Sequence, residues 1–189
     1  MTSKQITRLT LAGMFAAMAF VCFSYLRLEI PMGLGLTGKI YVGYTFILLA
    51  ALLLGSKYGG LTGAIGLTLA DILAGYTTSA PPTFVAKFIL GWSVGFFAHK
   101  IYHLPEETNP AKITRIVVTA AILGSLLNVA TEPVIRYSFK YYILGVAHQV
   151  AYVSAINCAI SMAINNVVST ILSCILYKVI PQELIKRVN

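Results

Sequence analysis

The sequence predicts an all-α protein in which six helices cross a membrane and form a single domain over residues 1–189. The first observation behind this prediction is the composition, since 58% of the residues are hydrophobic and 11% are charged. That charged fraction is about half of what a soluble domain carries. The second observation is the hydropathy: its mean is +0.81, and the apolar residues form long stretches of the kind that span a bilayer.

The apolar stretches place the six spans in order along the chain. The predicted spans cover residues 6–26, 40–54, 58–75, 83–103, 113–137 and 149–177. The second span is short for a bilayer that needs ~20 residues. The segment GSKYGG, residues 55–60, leaves only a tight turn between the second span and the third.

The distribution of basic residues predicts the orientation. With both termini in the cytoplasm, the inner basic residues are Lys4, Arg8, Lys57, Lys100, Lys112, Arg115, Lys178, Lys186 and Arg187, and the outer ones are Arg27, Lys39, Lys87, Arg136 and Lys140. This inner excess favours cytoplasmic termini. It also accounts for the net charge of +8, and a nucleic-acid interface is excluded because no basic stripe with interleaved aromatic residues occurs.

Two polar stripes predict a cavity between the fifth and sixth spans. They consist of Asn128, Glu132 and Arg136 on the fifth span and of Asn157, Ser161 and Asn165 on the sixth. Each set repeats every four residues, so each lies on one helix face, and polar faces are costly against lipid. Together with residues at matching depth, the predicted substrate-binding set is Lys87, Trp92, Asn128, Glu132, Tyr152 and Asn157. The loop from Arg27 to Lys39 is expected to close the cavity as a flexible lid.

Two ions, Asp71 and Lys87, lie in otherwise apolar spans on either side of one outer hinge. Pairing would remove much of the cost of placing each in the membrane. The alternative, that Lys87 faces the substrate, stays open at this point.

No catalytic or metal-binding pattern appears. Cys22, Cys158 and Cys174 lie in apolar runs without ligand spacing, and no nucleophile stands beside a base. The segment GLGLTGKI, residues 33–40, has the spacing of a phosphate-binding loop but lacks the Ser or Thr after Lys39. The sequence therefore predicts a protein that is not an enzyme and that has no cofactor or metal.

Small residues recur at four-residue spacing on the first, third and fourth spans. The glycine pairs, residues 59 and 63 and residues 91 and 95, are expected to pack within the bundle. Ala12 and Ala16 form a smooth face on the first span that could receive a partner's helix.

The segments ILLAALLLGSKYGGLTGAIGLTLADILAGY and PPTFVAKFILGWSVGFFAHKI resemble the substrate-binding S component of energy-coupling factor (ECF) vitamin transporters. The resemblance implies a multi-pass protein of a prokaryotic plasma membrane that captures a vitamin from outside. It also implies partners, namely a membrane coupling subunit that contacts Ala12 and Ala16 and two cytoplasmic ATPases that hydrolyse ATP.

Within that family the chain looks most similar to members for hydroxymethylpyrimidine or pyridoxine-like compounds. Pantothenate is the second expectation, since Lys87 and Arg136 could meet its carboxylate, and riboflavin and folate stay open. A self-sufficient, ion-coupled secondary transporter, with Asp71 or Glu132 titrating, is the alternative from another class.

Overall fold

Six α-helices make up most of residues 3–31 and 37–180, which are the residues that the computed structural model describes. The helices are α1 Ser3–Tyr25, α2 Tyr44–Leu54, α3 Ser56–Leu73, α4 Ala80–Phe96, α5 Pro110–Ser138 and α6 His148–Val179. Each corresponds to one predicted span, so the predicted all-α bundle is confirmed. Four of the helical segments are long and apolar enough to cross a membrane: Lys4–Tyr25, Thr77–Ile101, Pro110–Ile143 and His148–Val179.

The short helix α2 lies at the centre of the bundle. All of its residues except Phe46 are buried, and it packs against α1, α3, α4 and α6. A helix that is apolar on every side is covered by protein or by lipid, and the neighbouring helices cover α2. Its 11 residues are too few for a hydrocarbon core of about 30 Å, so α2 serves as a core helix that the longer helices surround.

Glycines allow α3 to approach both α4 and α2 closely. A Cβ added to Gly91 would lie 2.1 Å from the carbonyl oxygen of Gly59, and one added to Gly59 would lie 2.5 Å from the Cα of Ala51. The predicted packing role of the glycine pairs is therefore confirmed. Between α2 and α3 the chain turns at Gly55, whose φ of +87° favours glycine.

A short antiparallel hairpin joins α1 to α2. Strand β1, Leu28–Pro31, pairs with β2, Thr37–Ile40, so that Leu28 lies opposite Ile40. The sequence predicted a flexible lid here; the described parts of this segment form paired strands, and closure over the cavity stays a prediction. Gly33 to Leu36 of the rejected phosphate-loop match lie outside the described residues, and the rest of the match lies in β2.

Asn165 of α6 fixes the hairpin to the bundle. Its side-chain nitrogen donates to the carbonyl of Lys39 at 2.8 Å, and its side-chain oxygen accepts from the backbone N–H of Tyr41 at 2.9 Å. The amide thus satisfies a main-chain donor and a main-chain acceptor at the end of β2. This role explains why the polar stripe on α6 extends to Asn165.

Candidate functional site

A polar cavity of about 170 Å³ lies where the hairpin meets α1, α3, α4, α5 and α6. Its lining combines three cations, one carboxylate, five hydroxyls, an amide and apolar side chains. The lining residues are Phe23, Lys39, Tyr41, Leu67, Asp71, Ser79, Thr83, Arg136, Lys140, Ser154, Asn157, Cys158, Ser161 and Met162.

The floor of the cavity rests on a buried ion cluster centred on Glu132. One carboxylate oxygen of Glu132 accepts from the Nζ of Lys87, and the other accepts from Arg136 Nε at 3.0 Å and Nη2 at 2.9 Å. Lys87 also donates to the hydroxyl of Tyr44. Glu132 and Lys87 are fully buried, so each charge depends on the other for compensation.

Arg136 connects this cluster to the third helix through one hydroxyl. Its Nη2 donates to Thr83 Oγ1 at 3.0 Å, and Thr83 in turn donates to Asp71 Oδ2 at 2.6 Å. The chain of hydrogen bonds therefore joins α5, α4 and α3 in the wall of the cavity.

This geometry corrects the predicted pair of Asp71 and Lys87. Within the described part of the chain, Lys87 forms its ion pair with Glu132, while Asp71 accepts from Thr83. The predicted pair rested on the similar depth of Asp71 in α3 and Lys87 in α4. It did not consider α5, whose Glu132 supplies the carboxylate that Lys87 contacts. The side chain of Lys87 lies below the cavity and does not line it.

Two further lysines line the cavity without a carboxylate partner. Among the residues described, neither Lys39 nor Lys140 forms an ion pair. The Nζ of Lys39 lies 3.1 Å from the ring centroid of Tyr76, and that of Lys140 donates to Ser154. Burial lowers the pKa of Lys39 from 10.5 to about 8, because the charged form loses water.

Asn157 contributes a free donor to the same cavity. Its side-chain nitrogen is buried and has no hydrogen-bond partner in the structure. An unpaired buried N–H group costs free energy unless a ligand or water accepts from it. Asn157 lines this cavity, and its predicted role in substrate binding stays a prediction.

Three other predicted site residues lie elsewhere. Asn128 is fully buried, where it donates to the carbonyl of Ala86 at 3.3 Å and accepts from Asn166 at 3.2 Å, so it ties α5 to α4 and α6. Trp92 is 42% exposed and stacks on Phe96. Tyr152 is 55% exposed and lines a separate apolar groove. The predicted aromatic wall of Trp92 and Tyr152 is therefore absent from the cavity lining.

The small face of α1 also lies differently from the prediction. Ala12 is buried, and its carbonyl accepts from Thr62 of α3. A Cβ on Gly66 of α3 would lie 2.6 Å from the carbonyl oxygen of Ala16. Ala12 and Ala16 therefore pack against α3, and the exposed small residues of α1 are Gly13 and Ala17.

Sequence reasoning missed Lys39, Lys140 and Thr83 as parts of the site. The sequence did contain an indication of Lys39 and Lys140, because both are among the few basic residues that the predicted orientation places on the outer side. Thr83 had none, because a single threonine in an apolar helix has many roles that the sequence does not distinguish.

The family model of the ECF-type riboflavin transporter, S component, matches residues 3–182. The chain therefore belongs to this family, which confirms the resemblance seen in the sequence. S components of ECF transporters are multi-pass proteins of the cell membrane and the substrate-binding subunits for vitamins. They work with an ECF module of membrane and ATPase subunits, which carries the ATPase activity.

Solved structures share this fold. The protein ThiT from Listeria monocytogenes has a TM-score of 0.70 at 22% identity, over 97% of this chain and 99% of that chain. An S component of a bacterial ECF transporter has a TM-score of 0.62 at 20% identity, over 92% and 95% of the two chains. The S component for biotin from an ECF-type ABC transporter has a TM-score of 0.61 at 19% identity, over 94% and 95%. No curated protein sequence matches the chain.

Proposed function

We propose that this protein captures a small water-soluble vitamin or vitamin precursor from outside the cell and passes it to an ATP-driven coupling module. The observation that carries the proposal is the polar cavity between the hairpin and the surrounding helices. Membership of the S-component family supports the class of ligand and the need for partner subunits. The orientation predicted from the basic residues supports capture from outside.

The size of the cavity favours a compact substrate. Its volume of about 170 Å³ is below the ~300–1,000 Å³ of pockets that hold drug-sized ligands. The matching family is named for riboflavin, and this volume favours a molecule smaller than riboflavin or folate.

The preference among compact vitamins changes with the position of the aromatic residues. Hydroxymethylpyrimidine and pyridoxine-like compounds were expected because Trp92 and Tyr152 would form a flat wall for a neutral ring. Neither residue lines the cavity. Pantothenate, expected second, gains support because Arg136 lines the cavity.

Native mass spectrometry of the purified protein tests the proposal. We expect a bound molecule whose mass corresponds to a vitamin or vitamin precursor, displaced by an excess of the same compound. A protein that retains none, and that binds none in titrations with a panel of vitamins, would contradict the proposed function.

A further inference from the structure

We propose that the cavity selects its substrate through an anionic group, a carboxylate or a phosphate, which Lys39, Lys140 and the side-chain amide of Asn157 bind. This inference rests on the proposed function, because it names the class of vitamin that the cavity accepts. It assigns binding roles to Lys39 and Lys140, which the predicted site did not contain.

The charge balance of the site is the first support. The cavity wall and the ion cluster beneath it contain four cations and two carboxylates. The cations are Lys39, Lys87, Arg136 and Lys140, and the carboxylates are Asp71 and Glu132. The excess of two positive charges is placed in a partly desolvated cavity, where an anion would be attracted more strongly than in water.

The distribution of partners shows which cations remain available. Arg136 already donates from Nε to Glu132 and from Nη2 to Glu132 and Thr83, so most of the N–H donors of its guanidinium group are occupied. Lys39 and Lys140, by contrast, meet a ring and a hydroxyl, respectively. An ammonium group has three donors, so each lysine can keep these contacts and still donate to a ligand.

Asn157 points to a ligand independently of the lysines. Its buried side-chain nitrogen lacks an acceptor in the same cavity. A carboxylate or phosphate is acceptor-only toward these donors, so one such group would satisfy the amide and both ammonium groups. A neutral ring would leave the two positive charges uncompensated.

Asp71 restricts the rest of the substrate. It lines the cavity, and one of its oxygens accepts from Thr83. Its other oxygen can accept from a hydroxyl or amide donor. The favoured substrate therefore has an anionic group at one end and hydrogen-bond donors away from it.

Matched pairs of compounds test the charge requirement with the purified full-length protein. The pairs are pantothenate with panthenol, biotin with biotinamide, and pyridoxal phosphate with pyridoxal, which separate carboxylate from phosphate recognition. Hydroxymethylpyrimidine and riboflavin complete the neutral set. We expect at least one anionic member to bind roughly ten- to a hundred-fold more tightly than its neutral counterpart, as the loss of a charged hydrogen bond predicts.

Variants identify the residues that bind the anionic group. Lys140→Gln and Lys39→Gln should each weaken binding of the anionic compound roughly ten-fold or more and weaken binding of its neutral counterpart much less, and Lys140→Arg should restore binding of the anion. Lys100→Gln is the control, because it removes one charge from the helical turn that follows α4, and Lys100 does not line the cavity. Melting temperatures show whether each variant is folded.

The outcomes separate this inference from the proposed function. Tight binding of a neutral compound only, or equal affinity for both members of every pair, overturns the anion site and leaves vitamin capture intact. The absence of binding by every compound, charged or neutral, contradicts both. Loss of anion affinity in Lys100→Gln to the same extent as in Lys140→Gln would show a general charge effect and overturn the assigned site.

Discussion

Glu132 is the residue on which the buried charges depend most. It is fully buried and compensates Lys87 with one oxygen and Arg136 with the other. Lys87→Met leaves Glu132 paired with Arg136, whereas Glu132→Gln leaves two cations without a carboxylate. A buried ion that loses its partner typically costs about 3–5 kcal/mol.

We therefore expect Glu132→Gln to lower the free energy of unfolding by about 3–5 kcal/mol and Lys87→Met to lower it less. The double variant Lys87→Met/Glu132→Gln should recover part of the loss, because it removes one uncompensated cation. Thermal unfolding in detergent measures all three. Equal losses in the two single variants would contradict a cluster centred on Glu132.

Lys39 predicts a pH dependence of stability. Burial lowers its pKa from 10.5 to about 8. Among the charged groups around it, Asp71 and Glu29 raise the pKa, while Arg27 and Arg136 lower it. Between these two values the unfolded chain holds a proton that the folded protein has released. The free energy of unfolding attributable to Lys39 therefore rises with pH from about 8 to 10.5.

The variant Lys39→Gln should lack this rise. Melting temperatures measured from about pH 8 to pH 10 check the prediction, with the wild type gaining stability relative to the variant. Parallel curves for the two proteins would show that Lys39 keeps its ordinary pKa in the folded state. Lys100→Gln serves as the matched control, because its lysine is exposed.

The sequence predicted part of the site at this scale. The four-residue repeat on α6 indicated a covered polar face, and Asn157 of that face lines the cavity, while its role in substrate binding stays a prediction. Trp92 and Tyr152 were placed wrongly, because aromatic side chains are stable both against lipid and in a pocket. Their depth in the helix therefore does not fix their direction.

At the scale of elements, all six helices followed from apolar runs bounded by glycines, prolines and charges. The hairpin did not, because strands of four residues have no reliable periodicity. Asn165 holds β2 through contacts more than 120 residues apart in sequence, and one sequence does not reveal such contacts.

The exposed face of α1 predicts a separation of transport from binding. Gly13 and Ala17 are exposed on α1, with open space around Gly13. If this face meets the coupling subunit, Gly13→Trp and Ala17→Trp should abolish ATP-dependent uptake and leave ligand affinity in detergent unchanged, because a bulky side chain prevents close helix approach. Ala12→Trp is the contrast, since its buried position predicts a loss of stability. Normal uptake in both exposed variants would remove this face from the coupling interface.

At the scale of the whole molecule, the orientation is the first quantity to measure. Single cysteines at Thr78 and Gly145, in a background without native cysteines, should react with an impermeant reagent added outside cells. A cysteine at Asn109 should react only after the membrane is opened. This pattern follows from the excess of basic residues on the inner side. Labelling of Asn109 alone from outside would reverse the orientation and place the cavity on the cytoplasmic side.

The fold class could be predicted because membrane helices depend mainly on composition. The particular substrate could not, since it depends on a few side chains that five helices and a hairpin bring together. The family match likewise identifies an S component, and we propose that the charges around the cavity distinguish between vitamins.

The most direct test of the account is uptake into proteoliposomes of the vitamin that copurifies with the protein. The protein is reconstituted alone and together with a membrane coupling subunit and two ATPases. We predict that uptake requires the partner subunits and also requires ATP on the side of the membrane where the ATPases lie. Concentrative uptake by the protein alone, driven by a proton or sodium gradient, would contradict the account and identify a self-sufficient transporter.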